Sequence, residues 1–240
     1  MILEICANSY ESALNAEKGG ADRIELCSEL ALGGITPSYG LIKKVMNTLS
    51  IPVNVLIRPR SGDFTYTEEE FEVMKEDIAL CRELKCNGVV SGVLNKDQEL
   101  DVARTGKLIE LAGPMSFTFH RAFDWVPDHG QTLEELINLG AERILSSGQS
   151  SNAFKGLPLL KTLLKQADNR ITILPGGGIN KENVLHFRNE GFTEVHFSAG
   201  SSRKTTDIPQ PSMVNLDAFD EGRQTFSDIQ KIQEIRNITT

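Results

Sequence analysis

The chain has no surplus of basic residues, no long apolar run, no paired-cysteine motif and no low-complexity tract, and each absence removes a class of function. Lys and Arg number 25 against 33 Asp and Glu, giving a net charge of -8 and a pI near 5.1. A broad phosphate-backbone footprint needs clustered cations, so nucleic acid is not an expected partner, whereas a local site for a small anion is compatible with this balance. No apolar run is long enough to span a bilayer and no basic, apolar leader follows Met1, so no membrane partner is expected. The cysteines, Cys6, Cys27, Cys81 and Cys86, form neither a C-x-x-C pair nor a dense framework, which fits reduced thiols in a cytoplasm.

What is present is a rhythm. Short β-type runs fall near residues 3–6, 23–27, 53–58, 88–93, 116–120, 143–147, 171–174 and 194–198, about one every thirty residues. Helical patterns lie between them over 10–18, 38–49, 67–84, 101–112, 132–139, 157–167 and 181–190, and a periodic run at 226–235 supplies an eighth. Thr67 with Glu70 reads as a capping box, Pro37 before Ser38 opens a helix, and Gly19, Gly140 and Gly191 stand where helices should end. Strands alternating with helices imply parallel βαβ units. Eight of them in 240 residues predict an α/β protein, a closed (β/α)8 TIM-type barrel forming a single domain over 1–240. The polar, proline-containing stretch 201–222 is predicted to be a long loop before the last helix.

In such a barrel, functional groups collect where strands end. Alternation sends Leu3, Ile5, Ile24 and Leu26 outward to helices, and therefore sends Glu4, Cys6, Glu25 and Cys27 inward. The same rule turns Asn54, Leu56 and Arg58 inward from the third strand, and Glu194, His196 and Ser198 inward from the eighth. Ionised carboxylates in a dry interior need partners, and Arg58 is the natural one for Glu4 or Glu25. The fifth strand alternates Phe117 and Phe119 with Thr118 and His120, then releases Arg121 and Asp124. His120 is of the pKa class suited to proton transfer near neutrality, Arg121 can bind an acidic group in two-pronged fashion, and Asp124 can orient either. The seventh strand ends in Gly176, Gly177 and Gly178 with a helix expected from Lys181, and the eighth in Ser198, Ala199 and Gly200. Glycine-rich turns beside a helix start let backbone N–H groups approach an anion.

These residues support an enzyme acting on a phosphorylated or otherwise anionic small molecule. In that reading the two glycine-bearing loops hold the anion, Arg58 and Arg121 clamp charge, and Glu25 or His120 moves a proton. A narrower version is phosphoester hydrolysis assisted by a divalent metal held by Glu4, Glu25 and Asp124.

Longer ordered motifs carry a family resemblance. They are Glu4-Ile5-Cys6, the run from Gly20 through Arg23-Ile24-Glu25-Leu26 to Cys27, Gly33-Gly34-Ile35-Thr36-Pro37-Ser38, Ile57-Arg58-Pro59-Arg60-Ser61-Gly62-Asp63-Phe64, Thr118 to Asp124, and Leu174-Pro175-Gly176-Gly177-Gly178-Ile179. The chain resembles the CutC family from the first strand to the eighth. The resemblance implies a cytoplasmic (β/α)8 barrel, commonly a homo-oligomer such as a dimer or tetramer, described under the name copper homeostasis protein. It further implies copper(I) bound by cysteines. Cys6 and Cys27 match the family's cysteine-bearing segments, with His120 or His196 as additional donors. A soft cation favours thiolates, with imidazole as a helper. Some members carry a nuclease label instead.

Overall fold

A computed structural model describes residues 1–206 and 221–240. Eight parallel strands, β1 (Ile2–Ala7), β2 (Arg23–Leu26), β3 (Val53–Leu56), β4 (Gly88–Ser91), β5 (Ser116–Phe119), β6 (Arg143–Ser146), β7 (Thr172–Pro175) and β8 (Glu194–Phe197), run in the order β7-β6-β5-β4-β3-β2-β1-β8. A parallel bridge between Gly176 and His196 closes β7 onto β8. The helices are α1 (Tyr10–Gly19), α2 (Tyr39–Met46), α3 (Glu68–Glu83), α4 (Val102–Ala112), α5 (His129–Leu139), α6 (Leu157–Ala167), α7 (Val184–Asn189) and α8 (Ile229–Thr239). The result is the (β/α)8 barrel that the strand spacing predicts.

Local chemistry sets the helix ends. Thr67 accepts from the Glu70 N–H at 3.3 Å while the Glu70 carboxylate accepts from the Thr67 N–H at 2.9 Å, so the expected capping box opens α3. Ser38 caps α2 directly after Pro37. Outward residues of the strands, among them Leu3, Ile5, Ile24, Val55, Phe119, Ile144 and Val195, are buried against Ala13, Ile42, Met74, Ile78, Leu133, Leu160 and Phe187 of the helices. Fully burying one such aliphatic side chain contributes about 1.5–3 kcal/mol, so the ring of helices holds the barrel closed while the axial face of each strand is left for other chemistry.

Two expectations need correction. The stretch beginning at Ser201 is not simply a loop: β9 (Gly200–Lys204) pairs antiparallel with β10 (Arg223–Ser227). The remainder of that predicted loop, 207–220, lies outside the described residues. The hairpin follows β8 and docks on α1, where Arg203 grips Glu11 at 2.7 Å and Asn8 donates to Thr225 at 3.0 Å. The seventh helix begins at Val184 and not at Lys181, because Asn180 and Asn183 cap one another first: the Asn180 N–H donates to Asn183 Oδ1 at 3.0 Å. The glycine turn is therefore not seated on a helix N-terminus.

Candidate functional site at the barrel mouth

Register places the inward residues of β1, β2 and β8 side by side. Glu4 is level with Arg23 on β2 and with His196 on β8, and Cys6 is level with Glu25. Glu4, wholly buried, accepts from Arg23 Nε at 2.5 Å and meets His196 Nδ1 at 2.8 Å. Arg23 Nη2 reaches Glu194 at 2.6 Å, and Arg143 Nε reaches the same carboxylate at 3.1 Å. Burial alone would raise the Glu4 pKa, yet the His196 hydrogen bond and the Arg23 charge hold it down at about 2. Arg23, not Arg58, is the partner of Glu4. Alternation marks Arg23 as inward too, since it stands two residues before Glu25 on the same face of β2.

Above this ion-pair layer lies a cavity of about 380 Å³. Its lining brings together Cys6, Glu25, Arg58, His120, Arg121, Gly177, Gly178, His196 and Ser198, with Leu30, Leu32, Phe64 and Trp125 as apolar wall. Cys27 stands behind Cys6, their sulfurs 3.6 Å apart, in a small apolar cluster with Leu56 and Val90. The Cys6 thiol also faces Glu25 Oε1 at 3.7 Å. The hydrogen bond with Cys27 and burial push the Cys6 pKa well up, while burial lifts Glu25 to about 7 despite the nearby His196 charge. For His196, burial works to lower the pKa but the Glu25 charge and the Glu4 hydrogen bond prevail and raise it. One donor atom each from Cys6, Glu25 and His196 lies within 4.8 Å of the others.

The opposite wall is built differently. Arg58 does not pair with a glutamate. Its guanidinium turns onto backbone carbonyls, with Nη1 donating to Leu32 at 3.1 Å and Gly34 at 2.8 Å and Nη2 to Gly62 at 2.7 Å. The His120 ring packs on Phe64, and its Nδ1 accepts the Ala122 N–H at 3.2 Å. Burial and the Arg58 charge depress its pKa to about 3, so it is a neutral imidazole and not the near-neutral acid or base expected from residue type. Gly92 makes room for it, since a Cβ there would stand 2.7 Å from the ring.

The remaining candidates divide. Asp124 orients Arg121, accepting from its Nε at 2.7 Å, and is otherwise occupied by Ser146 Oγ at 2.6 Å and Ser147 Oγ at 2.9 Å. Glu4 is engaged by Arg23 and His196, and among the described residues the group close enough to share a metal is Cys6, Glu25 and His196, so the expected carboxylate trio of Glu4, Glu25 and Asp124 does not assemble. Gly176 serves the barrel seam: its N–H donates to Ser146 O at 2.9 Å, and a Cβ would meet Leu145 Cδ1 at 2.5 Å. Ala199 and Gly200 line a neighbouring cavity with Lys231 and Asp228, leaving Gly177, Gly178 and Ser198 on the main one.

These features define a (β/α)8 barrel with a small polar chamber at its mouth and a thiol pair in the chamber wall. The model of the CutC family matches residues 1–201, and the chain belongs to the CutC family. It is 53% identical over 202 residues to a CutC family protein of Parabacteroides distasonis, covering 83% of each chain. It is 49% identical over 203 residues to the human copper homeostasis protein cutC homolog, covering 84% of this chain and 74% of that one. The crystal structure of the CutC protein from Streptococcus agalactiae superposes with a TM-score of 0.79 at 35% identity, covering 82% of this chain and 98% of that one. Among the described residues, no helix is long and apolar enough to cross a membrane.

Proposed function

We propose that the protein handles copper(I) as cargo in a reducing, cytoplasmic setting, binding it between Cys6 and Cys27 with His196 as third donor and Glu25 beside it. The observation that carries this reading is the thiol pair 3.6 Å apart, whose Cys6 sulfur lies within 4.8 Å of a donor atom of His196 and of Glu25. An ion about 2.3 Å from both sulfurs, the zinc–thiolate length, would span them at an angle of about 100° without moving either strand. The apolar lining by Leu56, Val90 and Leu30 favours a soft ion that needs little hydration over a hard one. Glu25 Oε2 is buried without a hydrogen-bond partner among the described residues, which suits a carboxylate kept close to a cation. The names of the human and streptococcal relatives agree with this chemistry.

Both thiols must lose protons to become good ligands, so binding releases protons. Anaerobic titration of the reduced protein against a competing chelator is expected to give one copper(I) per chain. Cys6→Ser or Cys27→Ser should weaken it on the order of 100-fold or more, because each leaves a single sulfur donor. A tight site that survives in the double variant would overturn the assignment.

A further inference from the structure

The wall of the cavity facing away from the thiols carries buried donors that the copper reading does not use. His120 is only 4% exposed, and because its Nδ1 accepts from Ala122 the ring proton sits on Nε2. That Nε2–H has no partner among the described residues, and the Nε–H of Arg58, which is 6% exposed, makes no hydrogen bond of ordinary geometry, its side chain having only the Tyr66 hydroxyl as a loose neighbour beyond the carbonyls it holds. Both residues line the same cavity. Arg58 also lacks any carboxylate within ion-pair distance among the described residues, so a buried positive charge is compensated only by carbonyl dipoles. An unpaired buried donor loses its hydration without replacement, and an unpaired buried charge loses more.

The geometry around the two donors is fixed. Three backbone carbonyls hold the Arg58 guanidinium, which lies over the Phe64 ring at 5.1 Å, and Phe64 also packs against His120, with centroids 4.8 Å apart. Trp125 meets Phe64 edge-on at 5.0 Å and is 47% exposed, so an apolar shelf leads from solvent to the donors. Glu25, the one unpaired acid of the cavity, belongs to the β1–β2–β8 side and is turned toward Cys6.

We propose that this wall is a binding site for a small organic anion, with the acidic group received by the Nε–H of Arg58 and the Nε2–H of His120 and the apolar body laid on Phe64 and Trp125. Arg121, whose Nη1 stands over Gly177, forms the outer rim. The ligand class is a carboxylate or phosphate monoester of modest size, since the cavity of about 380 Å³ is near the lower end for small-molecule sites. The site is independent of copper at the thiols and requires no metal.

The test uses the whole copper-free chain labelled with ¹⁵N and titrated separately with inorganic phosphate, acetate and benzoate. The His120 ring and the indole of Trp125, the single tryptophan, are the reporters. Saturable shifts at both are expected, with benzoate binding about tenfold or more tighter than acetate because its ring buries apolar surface. A phosphate response stronger than either carboxylate's would assign the phosphate monoester class. His120→Phe, which keeps the stacking but removes the donor, and Arg58→Met should each weaken binding about tenfold or more. Shifts that never saturate with any of the three ions, or affinities unchanged in both variants, would overturn the proposal. The wild-type titration decides this even where a variant fails to fold.

Discussion

Replacing Arg23 with Met removes the cation that joins Glu4 to Glu194 inside the barrel, and the structure sets the size of the effect. Arg23 is 7% exposed and contacts both carboxylates, at 2.5 and 2.6 Å. The Glu4 pKa stands at about 2 against an ordinary 4.5, which corresponds to roughly 3 kcal/mol of preferential stabilisation of the carboxylate. His196 supplies part of that and Arg143 still covers Glu194, so the expected loss at pH 7 is about 3 kcal/mol, the lower end for breaking a buried pair. The pH dependence follows from the direction of the shift. In the wild type, a carboxylate with a depressed pKa stabilises the fold above 4.5, and that contribution disappears as pH falls toward 2. In Arg23→Met, Glu4 loses its cation and its pKa rises, so the variant folds with least penalty when Glu4 is protonated. The stability gap between the two proteins is therefore largest at pH 7 and narrows on acidification toward pH 4. Urea unfolding followed by circular dichroism at both pH values measures it. A gap below about 1 kcal/mol at pH 7, or one that widens at pH 4, would refute the view that this layer is a coupled charge network.

Two other predictions concern the seam and the thiols. Gly176→Ala drives a methyl into Leu145, with the His196 ring also close, and should cost about 1–3 kcal/mol, read as a lower urea midpoint with an unchanged slope. A wild-type-like midpoint would show that the seam has slack that the contact distances deny. Because the Cys6 pKa is raised, copper(I) affinity should climb with pH between 6 and 8 by about tenfold per unit for each thiol proton displaced. A pH-independent affinity would show that the thiols are not the ligands.

The fold was legible because its signals are local: period-two alternation in the strands, caps and glycines at helix ends, and a repeat of βα units. The inward set Glu4, Cys6, Glu25, Cys27, Asn54 and His196 followed from the same alternation. Which of these residues meet did not follow, since pairing depends on the stagger between neighbouring strands. Glu4 lies level with Arg23 only through the β1–β2 register, which no local pattern encodes. Arg58 was assigned the wrong partner for a related reason. It follows the last paired residue of β3, and its guanidinium folds onto loop carbonyls whose positions depend on the turns at Gly34 and Gly62. The neutrality of His120 comes from burial, to which Phe64 packed on the ring from 56 positions earlier contributes, and from the Arg58 charge, effects residue type alone cannot show. The β9–β10 hairpin has no such local signal, because its residues are mostly exposed and polar and no apolar period marks it.

The central claim, that Cys6 and Cys27 together hold the metal, is tested most directly by X-ray absorption at the copper edge on protein loaded anaerobically with one copper(I) per chain. The account predicts two sulfur scatterers at about 2.3 Å and one nitrogen at about 2.0 Å, with the sulfur shell lost in the Cys6→Ser, Cys27→Ser double variant. A shell of nitrogen and oxygen only, or sulfur scattering that persists in the double variant, would contradict it.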